Sequence, residues 1–322
     1  MRALIMQLME DGRREKVLVS DWADPPAPEG NQFKIQTLFS GITSGTERNN
    51  LLRGNYSMPD DSLPHGYGYQ NVGRVTELGP DCETIQVGDL VYTSQDHQEF
   101  LIDQENSLLI KLPDTIDPKH AALFGVASVA MHDVRRAETT LGDRVLVVGA
   151  GLIGQFTAQA ARASGAHVTV VDIDSHRLDL ATQCGAHQTI QVTGDESWSG
   201  PISEAGPFDI AFEDSGADVL GKIIGVGWGD GVIKGRGKVV VIAGRDDVVY
   251  KFNSGQGKEV TILQASHFDN SDLAEVTRLV AGGVIVIEPL IQDVVTPDQS
   301  KRIYDALRDE PNTLMGTVFD WQ

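Results

Sequence analysis

The stretch Val145-Leu146-Val147-Val148-Gly149-Ala150-Gly151-Leu152-Ile153-Gly154 restricts the possible folds of this chain more than any other. Apolar, mostly β-branched residues read as a strand buried on both faces, and they run directly into a glycine-punctuated turn and an apolar helix. Each glycine answers a steric demand. Gly149 permits the tight turn, Gly151 lets backbone approach an anion, and Gly154 lets the helix pack on the strand. The helix start at Leu152 and Ile153 offers N–H groups that have no partner within the helix. The next strand ends at Asp172, in the window about twenty residues on where a carboxylate accepts the two hydroxyls of an adenosine ribose.

Strand, turn, helix and acid together predict a Rossmann dinucleotide-binding unit. A 2′-phosphate beside Asp172 would meet like charge, reinforced by Asp174 and only partly relieved by Arg177 one turn into the following helix. The charge pattern therefore selects NAD over NADP. Ile173, between the two acids, and Arg177 join the candidate cofactor contacts.

The surrounding pattern extends this unit. A helix is expected over 120–137, strands at 144–148, 167–171, 208–212, 238–243 and 260–265, and helices at 152–164 and 175–184; such alternation builds a doubly wound parallel sheet. Phe212-Glu213-Asp214-Ser215-Gly216 and Val241-Ile242-Ala243-Gly244-Arg245 end successive strands at the carboxyl edge of the sheet, where ligands bind. Ser215 and Gly244 are the cofactor candidates there, although plain loop chemistry also fits.

Before residue 111 the chain has short β-rich runs separated by Gly, Pro and Asp, as in Gly88-Asp89-Leu90-Val91-Tyr92, which read as a barrel-like β lobe. After about residue 272, a helix (273–281) gives way to β character over 284–294, and Gly316-Thr317-Val318-Phe319 is expected to return to the first lobe. The expectation is an α/β protein: a β-barrel substrate domain over 1–117 and 271–322, and a Rossmann domain over 118–270.

Composition excludes several classes. Forty-six acidic against 26 basic residues give a net charge of −20, which opposes binding to a phosphate backbone. Cys82 and Cys184, the two cysteines, supply neither a disulfide framework nor a four-cysteine zinc lobe. The apolar start of the chain meets Glu10-Asp11 too early for a secretory signal, and no run has the ~18 apolar residues of a membrane span. A cytoplasmic protein acting on a small molecule, without nucleic acid or membrane, is expected.

Three further segments carry a family likeness: Leu38-Phe39-Ser40-Gly41-Ile42-Thr43-Ser44-Gly45-Thr46-Glu47, Pro64-His65-Gly66-Tyr67-Gly68-Tyr69-Gln70-Asn71-Val72-Gly73-Arg74-Val75, and Val87-Gly88-Asp89-Leu90-Val91. With the Rossmann half they make the whole chain resemble the medium-chain dehydrogenase/reductase superfamily, whose zinc-type alcohol dehydrogenase-like members have a GroES-like barrel as catalytic domain. The wording Ser-Gly-Ile-x-x-Gly-Thr-Glu followed by Tyr-Gly-Tyr is similar to a branch that includes bacteriochlorophyllide a dehydrogenase. The resemblance places the family's zinc-ligand positions on Ser44, Tyr69, Gln70 and roughly Gly125, a set that lacks the thiolate, imidazole and carboxylate zinc requires. It implies an NAD(H)-dependent oxidoreductase without catalytic zinc. It also implies a homodimer in which the edge strand at 260–265 pairs with its copy.

Without a metal, donors must stabilise the developing alkoxide. Thr46, at the family's proton-relay position, is the leading candidate, and Ser44 stands where a thiolate would stand. Two roles fit Tyr69: its phenol donates to the substrate oxygen, or its ring fills the vacated metal cavity. Glu47 either orients Tyr69 or Arg74 or lies on the surface. His97, in a loop expected to reach the cleft, suits proton shuttling; His65 and His132 are weaker candidates, the latter as a buried helix residue. The main expectation is an alcohol or carbonyl oxidoreductase. A zinc-free quinone or enone reductase and a non-catalytic NAD(H)-binding protein are the alternatives.

Overall fold

The computed structural model describes residues 1–227, 229–310 and 313–322. The chain forms two compact units: Met1–Gly125 with Leu273–Ala281 and Leu290–Gln322, and Val126–Asp272 with Gly282–Pro289.

The second unit is α/β. Its six-stranded sheet is parallel, and its spatial order is Gln188–Gln191, His167–Asp172, Arg144–Val148, Phe208–Glu213, Ile233–Val241, Thr261–Gln264. The order reverses beside Arg144–Val148, the strand that feeds the glycine turn. That is the switch point at which doubly wound sheets bind ligands. Leu146, Val148, Val171, Ala211, Val239 and Val241 pack with Ile223 and Ile224 from the helix Leu220–Ile224 in one buried cluster, so the strand ends are fixed by residues that each contribute ~1.5–3 kcal/mol when fully buried.

The first unit is β-rich. A three-stranded sheet pairs Ala3–Leu8 with Arg14–Val19 and His65–Gly66. A larger mixed sheet runs Ile291–Val295, Gly316–Asp320, Gln32–Gly41, Asn71–Leu78, Leu90–Thr93, Leu109–Lys111, with Phe100–Gln104 also on Gln32–Gly41. The alternating burial of Gln32–Thr37 reflects a sheet packed on one face.

Local details differ from the sequence expectation. The 120–137 helix is two helices, Pro118–Ala121 and Phe124–Arg136. Only the second half of 284–294 is β, as Ile291–Val295, because Pro289 sits in a short 3-10 turn that lacks a ladder donor. Gln188–Gln191 adds a strand, and Ser300–Asp309 forms a helix whose Ile303, Tyr304 and Leu307 face the core. Among the described residues no helix is long and apolar enough to cross a membrane.

Candidate active site

In the α/β unit the glycine turn combines close backbone packing with open space above it. Gly149 has φ +100, and a Cβ there would lie 2.9 Å from the Ser215 nitrogen, so only a bare α-carbon fits. A Cβ on Gly154 would sit 1.9 Å from the Gly149 carbonyl oxygen, which is the close helix–strand approach the motif requires. A Cβ on Gly151 would meet nothing within 4 Å, leaving the space above the turn open. The helix Leu152–Ala163 starts at Gly151 with no side-chain cap, so its first N–H groups, at Leu152 and Ile153, remain available to an anion.

Asp172 ends its strand beside this turn. Its carboxylate accepts from the Ala150 N–H (2.6 Å) and the Asp174 N–H (2.9 Å), which fixes its orientation while each oxygen keeps acceptor capacity. Ile173 is 69% exposed next to it. Arg177 reaches Asp174 at 4.0 Å. At the neighbouring strand ends, buried Glu213 accepts from the Ser215 and Gly216 N–H groups, the Ser215 hydroxyl and the Arg245 guanidinium. Ser215 is thus held by Glu213 against Gly149, and Gly244 is an exposed residue just past the strand Ile233–Val241. These residues fit a dinucleotide.

A second feature here was not anticipated from sequence. Asp214 is fully buried under the face of Gly154 and Thr157, and burial together with nearby Asp133 holds its carboxyl well above the usual range. Asp133 is pushed up to about 8, by burial first and then by Asp272.

In the β-rich unit, hydroxyls converge on Tyr69. Burial raises its phenol, while hydrogen bonds from Thr43 and Thr46 pull in the opposite direction. Thr46 also meets the Tyr56 phenol. Thr43 accepts from Gln70 Nε2 at 3.1 Å, so Gln70 aims Thr43 toward Tyr69. Thr46 sits in the first turn of the helix Ser44–Leu51, and Ser44 opens that helix, half-buried. The segment is helical from Ser44 on, which holds the Thr46 side chain in a rigid frame. Thr43, absent from the sequence candidates, is its N-cap residue.

Behind this cluster lies a buried charged network. Glu47 accepts from the Thr43 N–H (2.8 Å) and the Tyr304 hydroxyl (2.6 Å), and faces His97 Nε2 at 3.3 Å. Its exposure is 1% and that of His97 is 0%. Burial pushes the Glu47 carboxyl up, but His97, Lys16 and the Tyr304 hydrogen bond outweigh it, and the net direction is down. Lys16 donates to the Tyr67 carbonyl at 2.5 Å and lies over the Tyr67 and Tyr304 rings; burial pulls its pKa down to about 8.

The network corrects two expectations. His97 does not reach a cleft: its side chain turns inward onto Glu47 and the Phe319 ring, where it has no path to solvent as a shuttle. Glu47 is not a surface residue, and its charge raises the nearby Tyr69 phenol; Arg74 is exposed and donates to the Gly88 carbonyl. His132 is partly exposed and bonds Asp272 at 2.9 Å, so it is not a buried helix residue.

The residues at the zinc-ligand positions do not fit zinc. Among the described residues no three His, Cys, Asp or Glu side chains form a group able to hold a metal ion. At Gly125 even the space is taken: a Cβ would lie 2.4 Å from the Tyr92 hydroxyl and 3.0 Å from Gln70 Cγ. That hydroxyl donates to the Tyr69 carbonyl at 2.9 Å, tying the closed corner to the phenol-bearing turn.

Residues 153–282 match the family model described as zinc-binding dehydrogenase. The chain is 27% identical over 308 residues to 2-dehydro-3-deoxy-L-galactonate 5-dehydrogenase of Pseudoalteromonas atlantica, covering 83% of this chain and 85% of that protein. It is 29% identical over 276 residues to D-guloside 3-dehydrogenase of Escherichia coli, covering 78% and 77%. The fold is also that of 2R,3R-butanediol dehydrogenase from Bacillus subtilis, with a TM-score of 0.85, 21% identity, and coverage of 100% and 99%. Together with the glycine turn and the parallel sheet, these likenesses make the chain similar to zinc-binding dehydrogenases over most of its length and give it the fold of their solved structures.

Proposed function

We propose that this chain is an NAD(H)-dependent oxidoreductase that interconverts an alcohol and a carbonyl compound without a catalytic zinc ion. The observation that carries the reading is the convergence of Thr43 and Thr46 on the Tyr69 phenol, next to a ligand corner closed by Tyr92. The named relatives, a galactonate and a guloside dehydrogenase, support a polyhydroxylated substrate.

The turn Gly149–Gly154, with Leu152 and Ile153, would hold the pyrophosphate, and Asp172 the adenosine ribose, flanked by Ile173 and Arg177. Ser215 and Gly244 would line the far strand ends. NAD bound there supplies or accepts the hydride. Tyr69, kept protonated by burial, donates to the substrate oxygen, and Thr46 relays the proton while Thr43 fixes the phenol. Ser44 offers a further hydroxyl at the same helix start. Gln70 and Tyr92 act through others, as positioning residues.

The reading extends to location and assembly. Two reduced cysteines support the cytoplasm. Thr261–Gln264 is an edge strand with half-buried Ile262 and Leu263, which supports a homodimer through strand pairing; light scattering after gel filtration tests it.

The decisive experiment measures NAD- and NADP-linked oxidation of a polyol panel and reduction of ketones and enones, on protein assayed for metal. Tyr69→Phe and Thr46→Val should each lower kcat by about 10²–10⁴-fold while NAD binding persists. Chelator should leave turnover intact. Stoichiometric zinc lost together with activity would overturn the reading, as would NAD binding with no hydride exchange on any substrate.

A further inference from the structure

The opposite edge of the α/β unit carries a site unrelated to the glycine turn. His167 begins the strand that ends at Asp172, so its imidazole lies at the amino edge of the sheet. The His187 ring stacks on it, with centroids 4.5 Å apart and planes 21° apart. His187 is exposed, and its Nδ1 accepts from the Val168 N–H at 3.1 Å, which leaves Nε2 as the donor of the neutral ring. A cavity of about 550 Å³ opens here between Arg162, Ala163, Ala166, His187 and Val284.

The charge at this place runs against the rest of the molecule. In a chain of net charge −20, Arg162, His167 and His187 gather with no carboxylate partner among the described residues. Gly185 makes room for the guanidinium: with φ +92 and no side chain, it lets Arg162 Nη1 come to 2.8 Å from where a Cβ would lie. Ala163, Ala166 and Val284 provide an apolar wall, and the His187 ring, backed by the stacked His167, a flat one. Burial first, then the His167 and Arg162 charges, lowers the His187 pKa. An anion is the ligand that would relieve that repulsion.

We propose that Arg162 and His187, the latter backed by His167, form a binding site for a small organic phosphate, with the phosphate on the guanidinium and the His187 imidazole and its carbon body on the Ala163–Val284 wall. Guanidinium and phosphate match as a two-pronged donor and acceptor, and a 550 Å³ cavity admits a ligand well beyond an inorganic ion. The site uses none of the residues assigned to the cofactor or to the hydroxyl cluster, so it stands apart from the proposed reaction.

The test is a titration of the full chain with phenyl phosphate, inorganic phosphate and phenol, following the eight histidines by carbon-13 imidazole NMR. His167→Gln and His187→Gln assign their signals. Expected is a saturable shift of the His167 and His187 resonances alone, tightest with phenyl phosphate, with the His187 pKa rising on binding. Saturating NAD should leave it unchanged, and Arg162→Gln should weaken it by about tenfold or more. The proposal is overturned if the shift never saturates, if chloride at equal ionic strength reproduces it, if phenol alone matches phenyl phosphate, or if it survives Arg162→Gln.

Discussion

Glu47 and His97 face each other at 3.3 Å with both side chains shut off from solvent, and the helix residue beside Glu47 is Thr46. Breaking one partner of a buried pair costs about 3–5 kcal/mol, because the other is left without compensation. Glu47→Gln should therefore destabilise the protein by about that much at pH 7 in urea unfolding. The folded-state pKa of Glu47 is depressed, so its contribution is fully present above the ordinary carboxylate pKa. It disappears as pH falls through the folded value, and below that the wild type and Glu47→Gln should converge. A parallel pair of curves down to pH 3 would refute the assignment.

Lys16 contributes with the opposite sign at pH 7, destabilising where Glu47 stabilises. Its folded pKa, about 8, lies below the ordinary lysine value of 10.5, so the unfolded chain binds more protons between those values and stability rises with pH through the window. Lys16→Met should flatten the difference and be more stable at pH 7 by up to ~3 kcal/mol. Chemical denaturation at pH 7, 8 and 9.5 measures it, and an unchanged slope would count against it.

Asp133 should act as a liability at alkaline pH. With its carboxyl pushed up to about 8, the folded state retains a proton the unfolded chain has lost, so stability falls between about pH 4 and pH 8. Asp133→Asn should be near neutral at pH 4 and stabilising by several kcal/mol, about 5 at most, at pH 8. Thermal unfolding across that range decides it. Asp214 adds to the same trend.

Gly125→Cys should not create a zinc site. The new Cβ would press on the Tyr92 hydroxyl, an overpacking that costs about 1–3 kcal/mol. Adding Tyr92→Phe should recover part of the loss. Metal content by mass spectrometry should stay unchanged in both; a stoichiometric gain would show that the corner is open.

The α/β architecture was legible because its signals are local: a strand, three glycines and an acid lie in one short window, and the near-continuous Val and Ile of 145–148 and 168–171 mark strands buried on both faces. The hydroxyl cluster was only half legible. Thr46 and Tyr69 stand in recognisable segments, whereas Thr43 enters because Gln70, 27 residues away in sequence, aims its hydroxyl. Tyr304 reaches Glu47 across 257 residues, from a helix the reading of the tail omitted although Ile303, Tyr304 and Leu307 have helical spacing. His97 misled because a loop histidine looks accessible in sequence, and only the ladder around it, with Leu4 donating to its carbonyl, turns it inward.

The strand Gly316–Asp320 lies between Ile291–Val295 and Gln32–Gly41, and Trp321 Nε1 reaches Ser40 Oγ at 2.8 Å. A growing polypeptide thus exposes one flank of an early strand until residues 316–320 emerge, whereas the parallel sheet of the other unit has its described strands by residue 264. Synthesis should complete the parallel sheet before the β-rich unit gains this strand, the interval in which a chaperone has most to protect.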